Sequence, residues 1–226
     1  MLKNLSVLII ILCCFNSCIE NVKTRGGLNA EQQKAFDKLS EFENHISELH
    51  YKSELQPNKV IKETQVLINQ TLNSRDSLNI AKNKLDYLFS LRAEIFYREE
   101  EHRKSIKEII DNAEIHLGTP LLSSHDNLVL ACNYVKLKEY EVALEQIIKA
   151  GKGYYISDFI LGNFYENTGE ILKAKEIYSE IIEKGRSQYK FYELAQNRLI
   201  ELKKESPKLL TELYFPTYNP RFEITK

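Results

Sequence analysis

The stretch from Tyr155 to Ser187 constrains this chain more tightly than any other, because it reads as two antiparallel helices joined at Asn167-Thr168-Gly169-Glu170. Leu161, Gly162 and Tyr165 share one face of the first helix, and Ala174, Tyr178 and Ile181 share one face of the second, at three-to-four-residue spacing. A glycine inside a helix costs ~1 kcal/mol relative to alanine, and Gly162 makes sense where a second helix must come close. The same arrangement recurs upstream. Leu130, Ala131 and Tyr134 precede Ala143, Ile147 and Ala150, and Ala93 and Phe96 precede Ser105 and Ile109. In all three copies the small residue of the first helix stands twelve positions before that of the second.

This pattern resembles the tetratricopeptide repeat (TPR), a helix pair that runs Leu-Gly-x-x-Tyr and then Ala-x-x-x-Phe/Tyr. The resemblance covers about Asp86 to Ser187. Arg92 stands in the earliest copy where Leu130 and Leu161 stand later, and the copies are spaced 38 and 31 positions apart. The family's Trp and closing Pro are absent from all three. The alternative is an irregular helical bundle, since any amphipathic helix yields apolar i, i+3, i+4 sets. The resemblance implies an all-α fold: an antiparallel helix-pair, right-handed superhelical array with a C-terminal capping helix and an extended tail.

Residues 1–17 have the parts of a secretory signal: Lys3 as the charge, Leu5 to Leu12 as an apolar core broken only by Ser6, and Ser17 as a small-residue end. The apolar run is shorter than the ~20 residues that span a bilayer. Cys18 after Ser17 resembles the lipobox of bacterial lipoproteins, which implies cleavage before Cys18 and its acylation, including palmitate-class chains. An ordinary cleaved signal or an uncleaved anchor is the alternative. Two or three acyl chains, at ~0.8 kcal/mol per buried methylene, hold a protein on a membrane. Ile19 replaces the Asp by which resembling lipoproteins of some enteric bacteria stay in the inner membrane, so an outer-membrane site is favoured. Residues 18–28 are read as a flexible tether, and the stretch Glu20 to Asn29, with Gly26-Gly27 in it, has a root-mean-square span of roughly 17 Å. On this reading only Cys132 of the four cysteines remains a free thiol in the mature chain, so no intrachain disulfide is expected.

One helical domain is expected over 29–205. Asn29 caps a helix from about Ala30 to His50 with Ala35, Leu39, Phe42, Ile46 and Leu49 on one face. A partner helix opens near Pro57, with Val60, Ile61, Val66 or Leu67, and Ile68 as its stripe. After a break at Asn73-Ser74-Arg75-Asp76, a helix starting at Ser77 or Leu78 runs to about Glu99. Arg103 to Leu117 follows, ended by Gly118 and Pro120. Ser123, Ser124 or Asp126 caps the next pair, which turns near Lys138-Glu139 and closes at Gly151-Lys152-Gly153. Ser187 to Glu205 is the capping helix, and 206–226 is an extended tail with Pro216 and Pro220 among Tyr214, Phe215, Tyr218 and Phe222.

A formal charge of −1 gives no basic stripe for nucleic acid. The run Arg98 to Lys104 reads as a solvated helix face or a helix turn. His45 and His50 are five apart and so leave one helix face, and His102, His116 and His125 fall near helix ends, so no metal set forms. There is no GxSxG, GxGxxG or HExxH, and the GKG at Gly151 lacks the spacer and Ser/Thr of a phosphate loop. Asp76-Ser77-Leu78 resembles a short O-glycosylation acceptor of some envelope bacteria, but at three residues it reads first as a helix N-cap. No enzyme activity, cofactor or metal is expected.

The expected function is a lipid-anchored envelope scaffold that binds a protein or peptide. The alternative is an envelope module that binds a small ligand or glycan. In the resembled family the binding face is lined by the first helix of each pair. Here that row is Tyr87, Ser90, Glu94 and Tyr97, then His125, Leu128, Cys132 and Val135, then Ile156, Phe159, Asn163 and Glu166, continued by Tyr189, Tyr192 and Gln196. Of the residues by which family members clamp a terminal carboxylate, only Asn163 matches. The rest of the row is largely apolar and aromatic, which fits an extended hydrophobic segment. The chain's own Tyr214 to Phe222 is such a segment. Two roles are open to it: it lies against the domain, completing the core or occupying the site, or the row's Tyr and Phe pack only on neighbouring helices.

Overall fold

A computed structural model describes residues 30–73, 85–117, 122–151, 155–184 and 190–216, without the side chains of 30–32, 35, 39, 73 and 113–117. The signal, Cys18, the tether, the break after Asn73, the helix start at Ser77 or Leu78, Tyr189 and the tail from 217 onward lie outside the described residues. So do Gly118, Pro120, Lys152 and Gly153. Within them all regular structure is helical. The helices are α1 (Ala30–Ser53), α2 (Pro57–Asn73), α3 (Leu85–Arg98), α4 (His102–Leu117), α5 (Ser124–Lys136), α6 (Tyr140–Ala150), α7 (Tyr155–Asn167), α8 (Ile171–Lys184) and α9 (Lys190–Leu202). α1 packs on α2, and from α4 to α9 each helix packs on the next, with α3 joined to α4 through Ser105 and the Arg92–Glu108 pair. No described helix is long and apolar enough to cross a membrane.

Where the sequence leads to one helical domain over 29–205, the chain divides into two compact units, with the boundary between Leu85 and Asp86 at the start of α3. Ala93, the first small residue of the twelve-residue register, lies in the helix that starts there. In the first unit α1 and α2 pair through buried Ile46, Leu49, Val60 and Ile68, with the hydroxyl of Thr64 donating to the Val60 carbonyl at 2.9 Å. Phe42, Ile61 and Leu67 are half-buried and Val66 is exposed, so Leu67 and not Val66 belongs to the stripe.

The second unit, Asp86–Thr217, holds α3 to α9 and the start of the tail. All six small residues of the register, Ala93, Ser105, Ala131, Ala143, Gly162 and Ala174, are buried. At Ser105 the close approach also carries a bond, its hydroxyl donating to the Ala93 carbonyl at 2.8 Å. Arg92, which stands in a leucine position, is accommodated by a two-pronged ion pair: Nε lies 2.8 Å and Nη2 2.7 Å from the two oxygens of Glu108 on α4. Planar guanidinium-carboxylate geometry satisfies both groups at this largely buried place.

The three helix pairs share one turn. The N–H groups of Glu101, Glu139 and Glu170 each donate at 2.8 Å to the carbonyl five residues back, on Phe96, Tyr134 and Tyr165. Those of Glu100, Lys138 and Gly169 donate three residues back, to Tyr97, Val135 and Glu166. These are the paired bonds of a helix end that closes on a left-handed residue. Glu100, Lys138 and Gly169 accordingly have φ of 60°, 62° and 82°. The Arg98 to Lys104 run is therefore a turn and not a continued helix face. Only Gly169 takes that backbone without a steric penalty. Lys138 is exposed, and Lys138→Gly is expected to raise stability by ~0.5–1 kcal/mol, read as a higher denaturant midpoint at unchanged slope.

The next pair opens on Ser123, whose Oγ accepts from Asp126 N at 3.1 Å while the Asp126 carboxylate accepts from Ser123 N at 3.1 Å. This reciprocal box selects Ser123 among the three candidate caps. The last helix ends at Leu202, before the expected Glu205, because Lys203 N–H bonds three residues back to Ile200 and the chain then turns away toward Pro207, while the expected start at Ser187 lies outside the described residues.

Candidate functional site

Beyond α9 the chain crosses the first helices of the pairs. Lys208 N–H donates to Glu201 Oε1 at 3.0 Å, and its carbonyl accepts from Arg198 Nη2 at 2.9 Å, both on α9. On α7, Leu210 N–H donates to Glu166 Oε1 at 2.7 Å and its carbonyl accepts from Asn167 Nδ2 at 3.2 Å. Tyr214 N–H donates to Asn163 Oδ1 at 3.0 Å. The Tyr214 carbonyl accepts from the Cys132 thiol of α5 at 3.5 Å. Side chains of α5, α7 and α9 thus hold both polar groups of three tail residues.

Side chains fill the rest. Leu213 is 4% exposed and joins a core of Leu128, Ala131, Cys132, Val135, Ile160 and Phe164. Tyr214 meets Phe159 and Phe191 edge-on, at centroid distances of 5.9 and 5.5 Å, and its hydroxyl accepts from Lys190 at 2.8 Å. Phe215 stacks on Tyr97 of α3 at 4.1 Å, and Pro216 is buried. Outside the groove, Lys136 pairs with Glu212 at 2.6 Å.

A polar network underlies the floor. Asn163 Nδ2 donates to the Tyr178 hydroxyl at 2.8 Å, which donates in turn to Glu166 Oε2 at 3.1 Å. Glu166 is 0% exposed and also takes Arg198 Nε at 3.1 Å and Arg198 Nη2. Its two oxygens therefore have four donors, which is what a buried carboxylate requires. Burial pushes the Tyr178 hydroxyl and the Cys132 thiol well above their usual pKa values. Cys132 is thus an inert neutral thiol that fills space and donates weakly.

Of the sequence-predicted row, Tyr97, Leu128, Cys132, Val135, Phe159, Asn163 and Glu166 meet at the tail or in the core it completes. Ile156 packs against that same core, and Phe159 also packs on Tyr178. Tyr87, His125 and Tyr192 are half-buried on their helices, and Gln196 is exposed. Ser90 and Glu94 are buried, Glu94 with Arg98 at 3.6 Å. The tail begins its contacts earlier than the expected Tyr214, at Lys208. Sequence reasoning missed Arg198, Asn167, Glu201, Lys190 and Phe191. The signal for Arg198 is that Glu166, if inward-facing, needs a cation from an adjacent helix.

Among the described residues no three His, Cys, Asp or Glu side chains converge as metal ligands. Compared with known proteins, the chain matches no protein-family model, no curated protein and no solved structure.

Proposed function

We propose that this chain is a lipid-anchored scaffold or adaptor of the cell envelope that binds a protein or peptide through the concave face of a TPR-like, right-handed array. In this reading α9 is the capping helix, and Cys18 carries the acyl chains that tie the array to a membrane, the outer one favoured. The observation that carries it is the set of side chains on α5, α7 and α9 that hold the backbone of a non-helical segment at Lys208, Leu210 and Tyr214. Main-chain recognition beside pockets for apolar side chains is how proteins take up extended peptides. The threefold turn geometry supports the repeat assignment, because stacked equivalent pairs present their first helices side by side.

Two measurements test this. A photo-crosslinker at Tyr192, on the first-helix row, should trap defined proteins in intact cells, while one at Leu172, 83% exposed on the second-helix side, should not. Equal yields from both positions would remove the groove as binding surface. Cys18→Ser should abolish metabolic palmitate labelling and move the chain out of the membrane fraction while leaving its helical spectrum intact. Unchanged labelling and fractionation would end the anchor reading.

A further inference from the structure

The tail differs from an ordinary core segment in what it asks of its surroundings. A strand that only fills a core needs apolar walls, yet this groove commits Asn163, Glu166 and Asn167, three polar residues of one helix, to the backbone of another segment. Backbone reading places no demand on side-chain identity, so the same floor can take any extended segment of suitable register. Side-chain demand is confined to four places: Leu213 in the core cluster, Tyr214 between Phe159 and Phe191, Phe215 on Tyr97, and the buried Pro216. Leu209, Thr211 and Glu212 face outward and are exposed. The link to α9 is short, with Lys203 to Ser206 all exposed. The helices meet through their own small residues, and Leu213, Tyr214 and Phe215 join the hydrophobic clusters those helices form.

We propose that Lys208–Pro216 is a built-in ligand that keeps the groove closed. The partner that displaces it is an extended protein segment with leucine, two aromatics and proline in consecutive positions. This rests on the reading that the groove is the binding surface. Tethering makes the tail's docking intramolecular, so an external segment competes against a high effective concentration and binds only when it is abundant, better matched or itself held at the membrane. The proline pre-extends such a segment and reduces the ordering it must undergo on docking.

The test uses the full chain with a protease site inserted between Glu205 and Ser206, and a fluorescent synthetic peptide of the sequence Lys208 to Thr217. After cleavage the helical spectrum should persist, the released fragment should exchange, and the peptide should bind one to one, at least ten-fold more tightly than to the uncut chain. Alkylation of Cys132, followed by mass spectrometry of its tryptic peptide, should accelerate on cleavage and slow again when peptide is added. As a second route, Leu213→Asp in the uncut chain should raise peptide affinity about ten-fold with helicity retained. Loss of the helical fold on cleavage or in Leu213→Asp overturns the proposal, because the tail is then a fixed part of the core. So does equal peptide binding by cut and uncut chains. A peptide of scrambled order that binds equally well overturns the leucine-aromatic-aromatic-proline pattern. No cellular partner enters these measurements, so a groove that exchanges peptide while Tyr192 traps nothing would reject the envelope-scaffold reading alone.

Discussion

Gly162→Leu is expected to remove ~3–5 kcal/mol of stability from the second unit, enough to unfold a marginal domain near physiological temperature. The reason is local and geometric. A single Cβ on Gly162 would lie 2.5 Å from Cε1, 2.9 Å from Cδ1 and 3.0 Å from Cζ of Tyr178, closer than carbon atoms approach. The ring has no easy escape, because its hydroxyl is fixed between Asn163 and Glu166 at 2.8 and 3.1 Å and its residue is fully buried. Moving it would break both bonds, each worth ~1 kcal/mol net and more if a buried group is left unpaired. Replacing glycine in a helix gains ~1 kcal/mol in propensity, too little to offset the overlap, so Gly162→Ala should also destabilise. In a Tyr178→Leu background the penalty of Gly162→Ala should shrink by more than ~1 kcal/mol, the signature of direct coupling. Denaturant unfolding followed by circular dichroism measures all three. A midpoint unmoved by leucine at 162 contradicts the close contact and with it the register of the helix pairs.

Much of this arrangement was legible in the sequence because its cause is periodic. The twelve-residue spacing of small residues marks a place where two helices touch, and no partner outside the pair is needed to explain it. The turns were half legible. Gly169 announces a left-handed residue, whereas Glu100 and Lys138 adopt the same backbone with side chains that carry no such signal, since the bonds to Phe96 and Tyr134 outweigh a modest local penalty. That is why the Arg98 to Lys104 charges allowed a continuous helix face as well as a turn. The first-helix row was an implication of the resemblance to the tetratricopeptide repeat, and from it Phe159, Asn163 and Glu166 contact the segment that crosses α7. Arg198 and Asn167 were not legible, because their role depends on where a distant segment crosses, and the register of Lys208–Pro216 on the helices is a long-range fact. The split at Leu85 was not legible, because amphipathic patterning in α1 and α2 is alike whether or not they join one unit.

Arg198→Met should cost ~3–5 kcal/mol, because it strands a carboxylate that is 0% exposed. Glu166 would keep the N–H of Leu210 and the hydroxyl of Tyr178 but lose both guanidinium bonds and the ion pair they form, and the Lys208 carbonyl would lose its donor. Arg198→Lys separates charge from geometry. A lysine retains the charge but offers no planar fork that spans both oxygens and still reaches Lys208, so it should fall between wild type and methionine. Glu166→Leu combined with Arg198→Met should recover a large part of the loss, since it removes the unpaired charge together with its partner. The recovery should be incomplete, because the Leu210 N–H then has no acceptor. The same variants divide the two parts of the site. In Arg198→Met the tail loses its hold at Lys208 while Asn163 still holds Tyr214, so alkylation of Cys132 beneath the Tyr214 carbonyl should rise less than helix stability falls. Denaturation midpoints for the set of four proteins decide the matter: single variants within ~0.5 kcal/mol of wild type would mean that the Glu166–Arg198 pair is solvated and does not anchor α9 to α7.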